Sequence, residues 1–119
     1  MNVNAKFAFV LYYVDDIEMA KRFYTEVVGL KVERDSPTFV QFDHFAIGAD
    51  ESVSGSRDPE VYWTVDDAES ALAEYSKSVP IGMPMKQMPF GKVFSIKDPT
   101  GNPLYMIEFA KIRPSHVVE

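Results

Sequence analysis

Few residues of this sequence could do acid–base or ligand chemistry. There is no cysteine, which excludes thiolate nucleophiles, thiolate metal sites and disulfide frameworks. Two acidic pairs, Asp15-Asp16 and Asp66-Asp67, each precede a predicted helix, a position that is typical of helix caps and not of catalytic dyads. His44 follows a predicted turn, where a histidine is most often exposed, and the sequence assigns it no partner carboxylate.

Charge and composition limit the kinds of binding partner that we expect. The net charge is −6 and the lysines and arginines are scattered singly, so the basic surface that nucleic-acid binding needs is not evident. The apolar run near the N-terminus is too short for a membrane span. Because a chain without cysteine suits a reducing compartment, we expect a cytoplasmic protein with no nucleic-acid or membrane partner.

The first fifty residues predict one strand, one helix and three further strands. Aromatic and β-branched residues predict a strand at Lys6–Val14. Apolar residues at helical spacing, followed by Gly29, predict a helix from about Asp16 to Val28, with Asp15 as its N-cap. Three short strands are expected at Leu30–Arg34, Thr38–Phe42 and Phe45–Ala49.

The sequence after residue 59 repeats this pattern. Shifting it back by 51 positions places Val65–Asp67 on Val14–Asp16 and Tyr75 on Tyr24. Such a repeat indicates two copies of one supersecondary unit that cover each other's apolar faces. The remaining expected elements are a helix near Ala68–Tyr75, a loop with one irregular strand at Val79–Gly91, and strands at Lys92–Lys97 and Leu104–Phe109.

These elements predict an α+β fold in which two βαβββ modules form one domain over residues 1–119. Module one covers about residues 6–50 and module two about residues 60–110. A polar linker is expected at 51–59 and a polar tail at 111–119.

Four sequence pieces, in this order and at this spacing, resemble the glyoxalase/bleomycin resistance/dioxygenase (vicinal oxygen chelate) superfamily. They are Val14–Asp16, Phe23-Tyr24, Gly29-Leu30 and Asp98–Asn102, which are similar to the family's VxD, FY, GL and DPxGN elements. The resemblance implies a curved, half-barrel mixed sheet whose concave face lines a ligand cavity. It also implies that two copies of the chain form a homodimer. It does not imply one function, because this scaffold carries several chemistries.

The resemblance also allows the family's metal positions to be checked. Metal-dependent members bind a divalent ion with His, Glu or Gln side chains from the first and last strands of each module. The matching positions here are Phe9, Ala46–Gly48, Glu60 and Tyr105. Glu60 and a displaced His44 fall short of the three or four ligands that a stable site uses. We therefore expect no metal and no other cofactor.

The same positions indicate which side chains line the cavity, because side chains alternate between the two faces of a strand. The expected ligand-binding residues are Phe9, Leu11, Tyr13, His44, Glu60, Tyr62, Thr64 and Tyr105. A buried carboxylate needs a partner, so Glu60 indicates a cationic ligand, an arginine or water, unless Pro59 leaves it exposed at the strand's edge. The aromatic residues could also be ordinary core.

The leading hypothesis is a metal-free protein of the bleomycin-resistance type, in which a homodimer binds an aromatic or cationic small molecule. The alternative is a metal-dependent lyase, isomerase or dioxygenase with atypical ligands, or one that uses Glu60 and His44 as an acid–base pair. A third hypothesis is a degenerate module that only dimerises or regulates another protein, which a filled cavity would favour.

Overall fold

The computed structural model describes residues 3–110, which form two compact units. The N-terminal unit is Phe7–Tyr62, and the C-terminal unit joins residues 3–6 to residues 63–110. The polar tail expected at 111–119 lies outside the described residues.

Eight strands and two helical segments follow one another in two βαβββ series. The first series is β1 (Lys6–Tyr13), α1 (Ile17–Arg22) continued by a π turn (Phe23–Val28), β2 (Arg34–Ser36), β3 (Phe39–Gln41) and β4 (Phe45–Gly48). The second series is β5 (Glu60–Thr64), α2 (Ala68–Tyr75), β6 (Ile81–Met88), β7 (Gly91–Lys97) and β8 (Pro103–Phe109). The α+β class and the βαβββ order predicted from the repeat are confirmed.

Strand order repeats as well. In the first series the strands lie in the order β1-β4-β3-β2, and in the second they lie in the order β5-β8-β7-β6. β1 and β4 are parallel, with Leu11 opposite Ala46, whereas β2–β3 and β3–β4 are antiparallel. β7 is antiparallel to both β6 and β8. The mixed character of the sheet is therefore already present in the N-terminal unit.

The acidic pairs act at the helix starts, one residue later than expected. Asp16, and not Asp15, is the N-cap of α1, and its carboxylate accepts the Met19 N–H at 3.0 Å. Asp67 caps α2 in the same way through the Ser70 N–H at 3.0 Å, and this hydrogen bond lowers the pKa of Asp67. Capping thus explains the second aspartate of each pair.

The DPTGN sequence forms a turn organised by its first residue. The Asp98 carboxylate accepts the backbone N–H groups of Thr100, Gly101 and Asn102 at 2.9 Å each, and the Asn102 side-chain amide at 3.0 Å. The Asn102 side chain and these backbone donors lower the pKa of Asp98. Gly101 has a φ of 101°, a conformation that glycine adopts most readily.

The second half of the first helix differs from the expected α-helix. Phe23–Val28 forms a π turn, in which the Gly29 N–H bonds back five residues to the Tyr24 carbonyl. The wider turn breaks the 3.6-residue spacing, so Val27 and Val28, which were expected to continue the buried stripe, are 70% and 51% exposed.

Two expected extended segments are also revised. The strand expected at Leu30–Arg34 lies later, at Arg34–Ser36, because Ser36 pairs with Phe39 and the hairpin turns at Pro37 and Thr38. The segment expected to be mainly loop forms the eight-residue strand β6. β6 accommodates Pro84 because its register against β7 shifts between Met83 and Lys86, which is how a strand tolerates a residue without an N–H.

Each unit has its own apolar cluster. In the N-terminal unit, Val40, Phe42 and Ile47 are buried, and the partly buried Ala20 and Tyr24 of the helical segment pack against them. In the C-terminal unit, partly buried Trp63 and other side chains pack against a fully buried group. This group comprises Val65, Ala68, Ala71, Phe94, Ile96 and Met106.

Glu108, in β8, contacts the start of the second helix. Its carboxylate accepts the N–H of Ala68, the first residue of α2, at 2.9 Å. Among the described residues, no helix is long and apolar enough to cross a membrane.

Candidate functional site

The candidate site is a buried carboxylate that two tyrosines hold from one side. Glu60 is the first residue of β5 and is 1% exposed. Its Oε1 atom accepts the Tyr13 hydroxyl at 2.7 Å and the Tyr62 hydroxyl at 2.8 Å. Tyr62 reaches Glu60 because residues two apart share one face of a strand, and Tyr13 comes from the last position of β1.

The segment between the two series covers the other carboxylate oxygen. The Ser54 N–H donates to Glu60 Oε2 at 3.3 Å, and the Val53 N–H donates to the Tyr13 hydroxyl oxygen at 3.3 Å. Val53 is the one buried side chain of residues 50–59. The stretch that was expected to be a plain linker therefore closes over Glu60.

Side chains at the surface hold this segment in place. Arg57 forms an ion pair with Asp15 at 2.8 Å, and the Asp50 carboxylate accepts the Thr38 hydroxyl at 2.8 Å. The lone apolar residue in a polar stretch, Val53, was the sequence signal for this role. The expected alternative in which Pro59 leaves Glu60 exposed is wrong, because Glu60 is among the most deeply buried side chains of the described residues.

The negative charge of Glu60 is balanced by hydrogen bonds and not by a cation. Within residues 3–110, no lysine, arginine or histidine lies within ion-pair distance of Glu60. Burial, together with the hydrogen bond to Glu60 and its charge, raises the pKa of Tyr13 well above its usual range. Tyr13 therefore keeps its phenolic proton at neutral pH and can donate it in a hydrogen bond, as a buried carboxylate requires.

The raised pKa of Tyr13 predicts a loss of stability in alkali. The folded protein keeps the phenolic proton at a pH where the unfolded chain releases it. Stability is therefore intact below the unfolded pKa of about 10 and falls as pH rises toward the higher folded pKa. The expected slope is about 1.4 kcal/mol per pH unit for this one group.

Urea denaturation between pH 8 and 11 checks this prediction, with tyrosinate absorbance as an independent readout. Tyr13→Phe should remove much of the slope. Tyr75, whose pKa burial also raises, stays in both proteins and supplies the residual pH dependence. An equal slope in Tyr13→Phe and the parent would contradict the assignment.

Apolar side chains of β1 lie beside the carboxylate group. Phe9 is 3% exposed, and its ring lies 5.4 Å from that of Tyr62 and 5.7 Å from that of Phe39. Leu11 is buried as well, whereas Tyr13 is half-buried. The alternation expected along β1, with Phe9, Leu11 and Tyr13 on one face, agrees with this burial pattern.

The other expected site residues are His44, in the N-terminal unit, and Thr64 and Tyr105. The His44 side chain is 63% exposed, stacks on Phe7 with ring centroids 5.3 Å apart, and has Nδ1 3.0 Å from the Ala8 carbonyl oxygen. It therefore does not join the buried group. Thr64 and Tyr105 belong to the C-terminal unit, where Thr64 donates to the Lys6 carbonyl at 3.3 Å and Tyr105 is buried in β8.

The donor set does not fit a divalent metal ion. Phe9, Ala46 and Tyr105, which occupy positions that match the family's metal ligands, do not carry the His, Glu or Gln side chains that metal-dependent members use there. No group of three or more His, Cys, Asp or Glu side chains in the described part of the chain is arranged to hold a metal. Three or four such ligands are the usual requirement.

Comparison with known proteins identifies the family. The model of the glyoxalase/bleomycin resistance protein/dioxygenase superfamily matches residues 6–106. No curated protein sequence matches significantly.

Several solved structures share the fold. An NAD-dependent benzaldehyde dehydrogenase from Legionella pneumophila is 24% identical with a TM-score of 0.71, and the match covers 87% of this chain and 99% of that one. A superfamily member from Vibrio splendidus is 18% identical with a TM-score of 0.59, covering 90% and 99%.

A larger enzyme contains the same fold as a part. Homoprotocatechuate 2,3-dioxygenase from Brevibacterium fuscum is 14% identical with a TM-score of 0.58, and the match covers 96% of this chain but 40% of that one. At these identities the similarity shows the fold and not a shared activity. The family model, in contrast, spans most of the sequence and confirms the resemblance carried by the VDD and DPTGN elements: the chain belongs to the glyoxalase/bleomycin resistance protein/dioxygenase superfamily.

Proposed function

We propose that this chain is a metal-free member of the superfamily that binds an aromatic or cationic small molecule at Glu60 and acts as a homodimer. The observation that carries the proposal is a carboxylate, 1% exposed, with hydrogen-bond donors but no cationic partner among the described residues. Since the chain has no cysteine, we propose the reducing cytoplasm as its location.

A buried negative charge without a counter-ion attracts a ligand cation. Removing a carboxylate from water is costly, and the two phenol hydroxyls offset only part of that cost. A cationic group that donates to Oε2 would add an attraction between opposite charges, which the neutral Ser54 amide does not supply.

Aromatic rings beside Glu60 suit the flat part of such a ligand. The ring of Tyr62, whose hydroxyl donates to Glu60, lies 5.4 Å from the ring of Phe9. A cation over an aromatic face gains about 0.5–2 kcal/mol. These two rings are the stacking surfaces of the proposed site.

Access requires the covering segment to move, because Glu60, Tyr62 and Phe9 are all buried in the structure. Val53 and Ser54 hold it through two backbone hydrogen bonds of 3.3 Å, at the long end of the normal range. Opening at Val53 and Ser54 would expose the carboxylate and would also remove the Val53 side chain from its buried position.

The test uses matched pairs of flat compounds that differ in charge, such as benzamidine and benzamide, titrated against the full chain. The parent should bind benzamidine about tenfold more tightly than benzamide, which corresponds to 1.4 kcal/mol. Glu60→Gln should abolish that preference, and added salt should weaken only the cation. Equal binding of both compounds by parent and variant would contradict the assignment of Glu60.

Metal analysis separates this proposal from the metal-dependent alternative. Protein supplied with Mn, Fe, Ni, Co or Zn should retain little of any of them. One tightly held equivalent per chain that is lost in Glu60→Ala would instead support a metal-dependent lyase, isomerase or dioxygenase. Failure of every cation–neutral pair to discriminate, together with no metal, would leave a module that dimerises or regulates.

A further inference from the structure

The first helical segment presents an apolar face to solvent. Four of its large apolar side chains are at least half exposed: Met19 at 63%, Phe23 at 50%, Val27 at 70% and Val28 at 51%. They lie along one stretch of α1 and the π turn, within the N-terminal unit. Exposed apolar side chains that lie close together on a folded protein often mark an interaction site.

This face is not part of the unit's own core. Ala20 and Tyr24 already pack the same segment against Val40, Phe42 and Ile47. The π turn moves Val27 and Val28 away from that cluster. π turns are rare and are frequently found at functional sites, so a role for the altered face is consistent with the turn.

Charges of both signs flank the apolar face. A shallow groove of about 390 Å³ beside it is lined by Glu18, Lys21, Arg22, Thr25 and Glu26. Within residues 3–110, Arg22 and Glu26 form no ion pair, although both are exposed. When charges of both signs surround an apolar centre, a positive side chain of one copy can face a negative side chain of the other across a two-fold axis. An interface between identical copies requires this kind of self-complementarity.

We infer that this face, centred on Phe23, is the surface through which two copies of the chain associate. With the two segments antiparallel about Phe23, Met19 of one copy meets Val27 of the other, and Arg22 of each approaches Glu26 of its partner. The four apolar side chains expose roughly 400 Å², about half of one partner's share of a standard interface. The flanking charged side chains supply further area.

The inference rests on the homodimer part of the proposed function and is independent of ligand binding at Glu60. Sedimentation velocity of the full chain from about 1 to about 100 μM tests it, since a dimer population depends on concentration. Phe23→Glu should weaken the dimer at least about 30-fold, as expected for a central aromatic contact. Phe90→Glu is the control, because Phe90 is 41% exposed but lies in the C-terminal unit.

A charge reversal tests the two-fold geometry. Arg22→Glu and Glu26→Arg should each weaken the dimer because like charges then meet, whereas the double variant should restore it. Thermal melting should show all of these variants folded, since the changed side chains are exposed. A dimer that tolerates Phe23→Glu as well as Phe90→Glu would overturn the surface assignment alone.

A chain that stays monomeric throughout the concentration range would overturn the inference and the homodimer together. The apolar face would then be a contact surface for another protein or for residues 111–119. The titration with benzamidine and benzamide would still test ligand binding at Glu60 independently.

Discussion

Replacing Gly91 with alanine is expected to lower the free energy of unfolding by about 4 kcal/mol, a large fraction of the 5–15 kcal/mol that stabilises a typical protein. Gly91 begins β7 with a φ of 151°. A Cβ atom there would lie 2.2 Å from the Glu108 carbonyl oxygen and 3.0 Å from the Phe109 Cα. Both obstacles are backbone atoms of β8, which cannot rotate away as a side chain can.

Gly101→Ala is the matched control for this prediction. Gly101 also has a positive φ, of 101°, but nothing lies within 4 Å of its Cβ position. Its replacement should cost only the conformational strain, about 1–2 kcal/mol. Urea denaturation followed by circular dichroism measures both. Equal losses would show that β7 and β8 are less closely packed at Gly91 than the structure indicates.

The repeated architecture could be predicted from sequence because it is encoded locally. The Val-Asp-Asp elements set a strand end and a helix cap in each series, and DPTGN sets a turn through contacts within five residues. Shifts by one residue, such as the cap at Asp16 instead of Asp15, are expected at element ends. The strand order then follows from two copies of the same unit.

The π turn could not be predicted, because the apolar spacing of Tyr24, Val27 and Val28 fits an ordinary helix equally well. Its hydrogen bonds span one residue more than those of an α-helix, and sequence periodicity carries no separate signal for that. The irregular strand expected within Val79–Gly91 is β6, but its eight-residue length was not expected, because the register shift that accommodates Pro84 depends on pairing with β7.

The site around Glu60 could be predicted only in part from the sequence pattern. Alternation along the strands placed Phe9, Tyr13, Glu60 and Tyr62 on inward faces, in agreement with their burial. Which atoms satisfy the carboxylate depends on contacts between residues 47 positions apart. The cover formed by Val53 likewise depends on tertiary packing.

Glu60→Ala is expected to lower the free energy of unfolding by about 3 kcal/mol, because it removes the carboxylate that accepts the hydroxyls of both Tyr13 and Tyr62. Glu60→Gln should cost about 1 kcal/mol, since its amide oxygen can still accept both hydroxyls. Glu51→Ala, at an exposed position of the covering segment, should change stability by less than about 0.5 kcal/mol.

A double-mutant cycle isolates the contact itself. Tyr62→Phe removes the 2.8 Å hydrogen bond to Glu60, and it should cost about 1.5–3 kcal/mol in the parent, as for a bond to a charged group. In the Glu60→Ala background, Tyr62→Phe should cost clearly less than in the parent, because the hydrogen bond to Glu60 is already lost. A full additive loss in the double variant would contradict the contact.

The triple variant Tyr13→Phe, Glu60→Leu, Tyr62→Phe distinguishes a structural from a functional reason for the buried charge. Replacing a buried polar group by apolar side chains of similar size is often neutral or stabilising by about 1–4 kcal/mol. If the triple variant is at least as stable as the parent but no longer prefers benzamidine, the fold does not need the carboxylate, and ligand binding is the reason for its presence. If the triple variant unfolds and the parent shows no preference for benzamidine, Glu60 and its two tyrosines belong to the core.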